Sequence, residues 1–228
     1  MKILAVFALA LLLAGCATGT HRADPLEPLN RAVFDFNEAS DRVFMKPVAE
    51  AYTKVTPVPL RTAINNFFGN LQDLVSFAND LLQGKGTKAG DDFARVALNS
   101  SFGLLGFIDI ASAAGIERGD EDFGQTLGAW GVGSGPYLVL PFFGPSTLRD
   151  GAGLVADSQM HPLGQVESVR ERNSATALRL VNARANLLAA EKLLDQAALD
   201  KYTFLRGAYL QRRQYQIYDG KPPQDKEE

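Results

Sequence analysis

Apolar residues recur through 60–82 at helical spacing. Leu60, Ile64, Phe67, Phe68, Leu71, Leu74, Val75, Ala78, Leu81 and Leu82 follow the i, i+3, i+4, i+7 pattern. The opposite face carries Arg61, Asn65, Asn66, Asn70, Asp73 and Asp80, and Gly84 supplies a C-terminal stop. This predicts an amphipathic helix packed in a core; helices that lie on membranes tend to be basic on the polar face, and this one is not. Upstream, Asp24 followed by Pro25 reads as a helix start. Leu29, Val33, Phe36, Ser40, Val43 and Phe44 lie close to one face of that helix. Pro47 is expected to end it and to open a short second helix.

Residues 91–102 read as a helix. From 96 to 116 the only charge is Asp109, and Gly103 and Gly106 predict two shorter helices with a bend, Asp109 acting as a cap. The segment "LRDGAGLVADSQMHPLGQ" (148–165) reads as loop-rich. Residues 166–199 read as a long helix, and Asp200 caps a final one through Tyr218. No segment alternates strongly enough for a strand, and "YLVLPFF" (137–143) is cut by Pro141. The expected fold class is all-α.

One stretch departs from all of this. Residues 123–148, "FGQTLGAWGVGSGPYLVLPFFGPSTL", carry no charge. They are numerous enough to cross a bilayer, which takes ~20 apolar residues as a helix. Yet Gly128, Gly131, Gly133, Gly135 and Gly144, with Pro136, Pro141 and Pro145, oppose one continuous helix. Irregular backbone survives at membrane depth only when protein or a water-filled cavity covers it. Two readings follow: a buried loop of a soluble helical protein, or a hairpin braced by helices and bordering a passage in a membrane.

The N-terminus bears on that choice. "MKILAVFALALLLAGC" has a basic Lys2, an apolar run and then small residues, the layout of a secretory signal peptide over 1–15. Its end resembles the bacterial lipoprotein cleavage box, which makes Cys16 a lipidated residue carrying diacylglycerol and an N-acyl chain. Cys16 is the chain's single cysteine, so it has no internal disulfide partner. Ala17 in place of Asp resembles the sorting signal for the outer membrane. Residues 16–23 then form a tether, 24–218 one helical domain, and 219–228 a polar, disordered tail. The formal net charge of the 228 residues is -3, which gives no basic excess and argues against nucleic acid.

Candidate chemistry is sparse. The histidines are His21 in the tether and His161 before Pro162, too few for a His-based metal cluster or a nucleophile–His triad. "GVGSGP" lacks the spacing of a nucleophile elbow, and "GKGTKAG" that of a phosphate loop. No catalytic and no metal-binding residues are assigned, and no cofactor.

"DPLEPLNRAVFDFN", "NFFGNLQD", "GFIDIA", "YLQRRQYQIYDG" and above all "FGQTLGAWGVGSGPYLVLPFFGPSTLRD" resemble the MlaA/VacJ family of outer-membrane lipoproteins, from 24 to about 220. The resemblance implies a ring-like assembly of amphipathic helices in the inner leaflet of the Gram-negative outer membrane. It implies a channel that removes phospholipids from the outer leaflet and passes them to a soluble MlaC-like periplasmic carrier, with a trimeric porin as a possible neighbour. In such a channel Leu127, Trp130, Val132, Tyr137, Val139, Leu140, Phe142 and Phe143 are the candidate lining. Arg149 and Asp150 are the candidate headgroup contacts, the alternative for them being a mutual or helix-capping ion pair. The rival classes are a phospholipase or acyltransferase acting on the same lipids, and a scaffold lipoprotein that moves none.

Overall fold

The computed structural model describes residues 24–223. The expected signal peptide, Cys16, His21, the rest of the expected tether and residues 224–228 lie outside that range. Within it the helices are α1 (Glu27–Ser40), a π-helical turn (Asp41–Met45), α2 (Lys46–Val55), α3 (Val58–Gln83), α4 (Gly86–Ser101) and α5 (Ile110–Ala113). Then come α6 (Phe123–Ala129), strands β1 (Tyr137–Leu140) and β2 (Gly144–Thr147), α7 (Leu148–Met160), a 3-10 turn (Pro162–Gln165), α8 (Val169–Ala197) and α9 (Lys201–Ile217). Among the described residues no helix is long and apolar enough to cross a membrane.

The helical fold class stands, and several local features confirm the capping logic. Asp109 accepts a bond from the Ser112 amide at the start of α5, and Asp200 accepts one from Thr203 at the start of α9. Three expectations need correction. Pro47 does not end a helix. The preceding turn widens so that the Lys46 amide reaches the Asp41 carbonyl, five residues back. This moves the backbone that the proline ring would otherwise strike, and the chain stays helical to Val55. The expected loop at 148–165 is largely α7, capped by Thr147, whose hydroxyl accepts from the Asp150 amide. Its Gly153 serves contact rather than looseness, since a Cβ there would lie 2.4 Å from the Gly124 nitrogen of α6. Finally, β1 and β2 form an antiparallel hairpin, with Tyr137 opposite Thr147 and Leu140 opposite Gly144. Pro141 falls in its turn, where the missing N–H costs no ladder bond.

These elements close a circuit. The π-helical turn and β1 pack on α1, β2 and α6 on α9, α3 on α6, α8 on α3, and α2 on α8, which returns to the π-helical turn. Ion pairs tie the seams. Arg95 of α4 is wholly buried, with Nε 3.1 Å from Asp73 of α3 and Nη2 2.9 Å from Asp109. Arg118 lies 3.1 Å from the other Asp73 oxygen. Asp219, placed in the tail from sequence, is held by Lys85 and Lys88 at 2.7 and 2.5 Å.

Burial is inverted relative to a water-soluble domain. Among the described residues, ten buried residues are apolar and twenty are polar or charged. Meanwhile Phe44, Phe93, Phe102, Leu104, Leu105 and Val155 are among many large apolar side chains left exposed. Apolar exposure on this scale marks a surface that meets lipid or protein.

One buried pair carries a pH dependence. Asp80 of α3 and Asp92 of α4 face one another in the interior, and neither Asp80 oxygen has a hydrogen-bond donor. Burial, followed by the charge of Glu121, pushes the Asp80 pKa up to about 6; burial, followed by the charge of Asp80, pushes Asp92 up to about 7. The folded state therefore holds protons that the unfolded chain has released by about pH 4. The contribution of this pair to stability is full below that value and is lost as pH rises through about 7. Thermal unfolding in detergent is expected to show this decline. The Asp80→Asn variant, whose amide donates permanently to Asp92, is expected to flatten it.

Candidate functional site

Two asparagines on one face of α1 position the hairpin. Asn30 donates from Nδ2 to the Tyr137 carbonyl at 2.9 Å, and its Oδ1 accepts from the Val139 amide at 2.9 Å. Two helical turns on, Asn37 donates to the Leu140 carbonyl at 3.0 Å and accepts from the Phe142 amide at 2.8 Å. The side-chain amides thus stand in for the missing neighbour strand along the open edge of β1. Phe142 has φ of +65°, a conformation that costs a non-glycine residue energy. The Asn37 bonds and an edge-on contact with Phe36, centroids 5.4 Å apart, hold it there.

The hairpin turn, α1, the π-helical turn, α8 and α9 enclose an open cavity of about 910 Å³. Phe34, Phe44, Met45, Phe142, Phe143 and Phe204 form apolar walls, and Leu180, Leu187 and Leu194 add those of α8. A charged strip interrupts them. Arg184 donates twice to Asp41, at 2.6 Å each, and once to Glu191 at 2.5 Å. Lys46 Nζ lies 2.9 Å from the second Glu191 oxygen. Burial works to raise the Glu191 pKa, but the bonds from Arg184 and Lys46 outweigh it and hold the carboxyl below its usual range. The hydrogen bond to Asp41 likewise holds the Arg184 guanidinium firmly charged. A cavity of this volume suits a ligand larger than a metabolite fragment, with apolar chains and a charged end.

Of the residues singled out from sequence, the structure brings Phe142 and Phe143 to the cavity, at its hairpin edge. Tyr137 and Val139 lie instead in a small core with Tyr202, at 2% and 5% exposure. Leu127 is half-buried, its carbonyl accepting from the Val132 amide, and Val132 is exposed away from the lining. Trp130 is exposed outside it, its indole N–H donating to the Leu82 carbonyl at 3.1 Å. Leu140 contributes its carbonyl to the Asn37 clamp rather than a side chain to the lining.

Arg149 and Asp150 form the ion pair that was the alternative to headgroup contact. Arg149 Nη2 lies 3.0 Å from Asp150. Asp150 also binds Arg213 at 2.9 Å and the Tyr209 hydroxyl at 2.7 Å, all in the interior. Burial raises its pKa, but Arg213, Tyr209 and Arg149 together shift it downward on balance. Arg213 continues to Asp122, which caps α6.

The sequence reading missed Asn30, Asn37, Arg184 and Glu191. A signal was present: Leu180, Arg184, Leu187, Glu191 and Leu194 fall on one face of α8, apolar and charged by turns. Asn30 and Asn37 share the same seven-residue spacing within an otherwise apolar face.

Comparison with known proteins places this architecture. A family profile described as MlaA lipoprotein matches residues 22–216. The intermembrane phospholipid transport system lipoprotein MlaA of Escherichia coli (strain K12) is 40% identical over 212 residues, covering 90% of this chain and 84% of that protein. The protein of the same name from Haemophilus influenzae is 37% identical over 235 residues, covering 99% and 94%. A solved structure described as "Structural basis for maintenance of bacterial outer membrane lipid asymmetry" superposes with a TM-score of 0.75 at 36% identity, covering 86% of this chain and all of that one.

Replacing Asn37 by Ala strips the Phe142 amide of its partner and leaves the Leu140 carbonyl with the Phe143 amide alone. The expected loss is ~0.5–1.5 kcal/mol, confined to the hairpin turn. Hydrogen exchange should show the Phe142 amide losing protection while the α3 amides keep theirs.

Proposed function

The chain belongs to the MlaA lipoprotein family, and from that premise we propose that it is an outer-membrane lipoprotein of a Gram-negative bacterium. Its closed circuit of helices encloses a passive passage for phospholipids. Lipids mislocalised in the outer leaflet enter, and a periplasmic MlaC-like carrier receives them. The observation that carries this reading is the 910 Å³ cavity, whose apolar walls are crossed by the Asp41–Arg184–Glu191 strip. Acyl chains need the walls and a phosphate-bearing headgroup needs the strip, so one cavity accommodates both ends of the molecule.

The exposed apolar residues outside the circuit support placement in a leaflet, and the polar seams keep the helices together there without a spanning segment. Cys16, carrying diacylglycerol and an N-acyl chain, supplies the anchor; several chains hold firmly where one is marginal. A trimeric porin is a fitting neighbour for the outer surface. Passage breaks no bond, so this reading assigns no catalytic residue and no cofactor, and the chain acts as a transporter component rather than an enzyme.

Leu187 faces the cavity and is more than half exposed, so Leu187→Glu is expected to leave folding within ~0.5 kcal/mol. A charge on the acyl path costs ~2.5–3.5 kcal/mol, which predicts at least ~tenfold slower lipid passage. Outer-leaflet phospholipid exposure in cells carrying this variant as their sole copy measures it, and wild-type asymmetry would count against the passage. In the same cells Cys16→Ala should fractionate away from the outer membrane and fail to restore asymmetry.

A further inference from the structure

A second, smaller pocket lies between α3 and α8, on the side of α8 away from Leu180 and Arg184. Its volume is about 190 Å³, and Asn65, Gly69, Gln72, Arg118, Arg179 and Asn182 line it. Its character differs from that of the large cavity: two guanidinium groups and three amides converge on a small space, with Phe68 and Ala183 completing the wall.

The charge balance around it does not close. Arg95 and Arg118 are matched by Asp73 and Asp109. Arg179 is left over. Its guanidinium contacts Gln72 Oε1 at 3.4 Å and His161 Nε2 at 2.9 Å, and among the described residues no carboxylate pairs with it. Burial alone acts on this group, lowering its pKa. The histidine is a poor substitute for an anion. Burial and then the charge of Arg179 push the His161 pKa down to about 4, so the ring is neutral at neutral pH. A neutral imidazole has one lone pair, yet both ring nitrogens face donors: Arg179 Nη1 and, at 3.2 Å from Nδ1, the Leu163 amide. One of those donors is therefore unsatisfied. A partly buried guanidinium with no counter-charge is costly, and an anion in the pocket would remove that cost.

The pocket is also built to admit Arg118. A Cβ at Gly69 would lie 2.3 Å from Arg118 Nη1, so the guanidinium rests directly on the α3 backbone, and a side chain there would push it aside. Arg118 Nε and Nη2 are engaged by Asp73 and Asp109, and Nη1 has no hydrogen-bond acceptor among the described residues.

We propose that this pocket binds a phosphate group, with Arg179 and Arg118 as its charge partners and Asn65, Gln72 and Asn182 as additional donors. Donors arriving from α3, α8 and the Arg118 loop suit a tetrahedral anion better than a planar carboxylate. The bound group bridges α3 and α8, the latter also being a wall of the large cavity. Its source is either free phosphate or the phosphodiester of a lipid headgroup. The proposal is independent of lipid passage through the cavity.

Thermal unfolding of the full-length protein in nonionic detergent, with inorganic phosphate or glycerophosphoethanolamine added at constant ionic strength and pH 7, tests it. The wild type is expected to gain roughly 5 °C at about a hundredfold excess over Kd. Arg179→Gln should show no such gain. Gln72→Glu, which sets a carboxylate of the same shape against Arg179, should melt higher than wild type without phosphate and gain nothing from it. If Arg179→Gln does not fold, Gln72→Glu carries the test alone. A larger gain with glycerophosphoethanolamine assigns the site to a lipid headgroup, and a larger gain with inorganic phosphate assigns it to the free ion. No gain in the wild type with either probe, or an undiminished gain in either variant, overturns the proposal.

Discussion

A helix that turns its apolar side outward must meet its neighbours through its polar side, and each polar group so removed from water needs a partner. That constraint governs this chain. Arg95 joins α4 to α3 and to the Asp109 cap, Arg213 joins α9 to α6 and α7, and Asn30 and Asn37 join α1 to β1. Removing one partner from such a buried set typically costs ~3–5 kcal/mol, because the other charge remains. The pairs therefore fix geometry more than they add net stability. In return the outer surface is free to be apolar, as the exposed Phe, Leu and Val side chains are.

The large cavity follows from the same arrangement. A circuit held by polar seams does not need a solid apolar centre, and the side chains that line its opening are free to suit a ligand. α8 shows how one helix serves three environments. Leu180, Arg184 and Leu187 face the cavity, Arg179 and Asn182 face the α3 seam, and Leu193 faces outward. Such a helix has no single apolar stripe, which is why its role was hard to read from periodicity.

Much of the framework was legible. α3 is a helix where its spacing put one, but the face expected to pack is largely turned outward: Asn70, Asp73 and Asp80 are buried and Leu60, Leu74, Leu81 and Leu82 exposed. The caps at Asp109 and Asp200 sit where local hydrogen-bonding chemistry put them. Most of what escaped depends on contacts distant in sequence. Gly153 suggests a loop until α6 is seen pressed against it. Pro47 suggests a break until the widened turn before it is counted. β1 has four residues, too few to display alternation, and its outer edge is satisfied by side chains more than a hundred positions earlier. For the site, the aromatic pair Phe142 and Phe143 was readable from the uncharged stretch. Of the other candidates, Tyr137 and Val139 turn into a small core because successive strand side chains point to opposite faces, and Trp130 and Val132 lie outside the lining in the segment after α6. Arg184 and Glu191 needed the tertiary fold to show which side of α8 faces inward.

Asp24 is wholly buried, bonded to Asn30, to Arg206 at 3.1 Å and to the hydroxyl of Tyr202, 178 positions along the chain. The first helix thus has no lasting home until the last has been made. Joining the two ends closes a very large loop, whose entropy opposes assembly until late. A nascent chain must therefore wait, its greasy faces uncovered, for its own carboxyl-terminal helix to arrive. Truncation there would undo the beginning of the molecule as surely as its end.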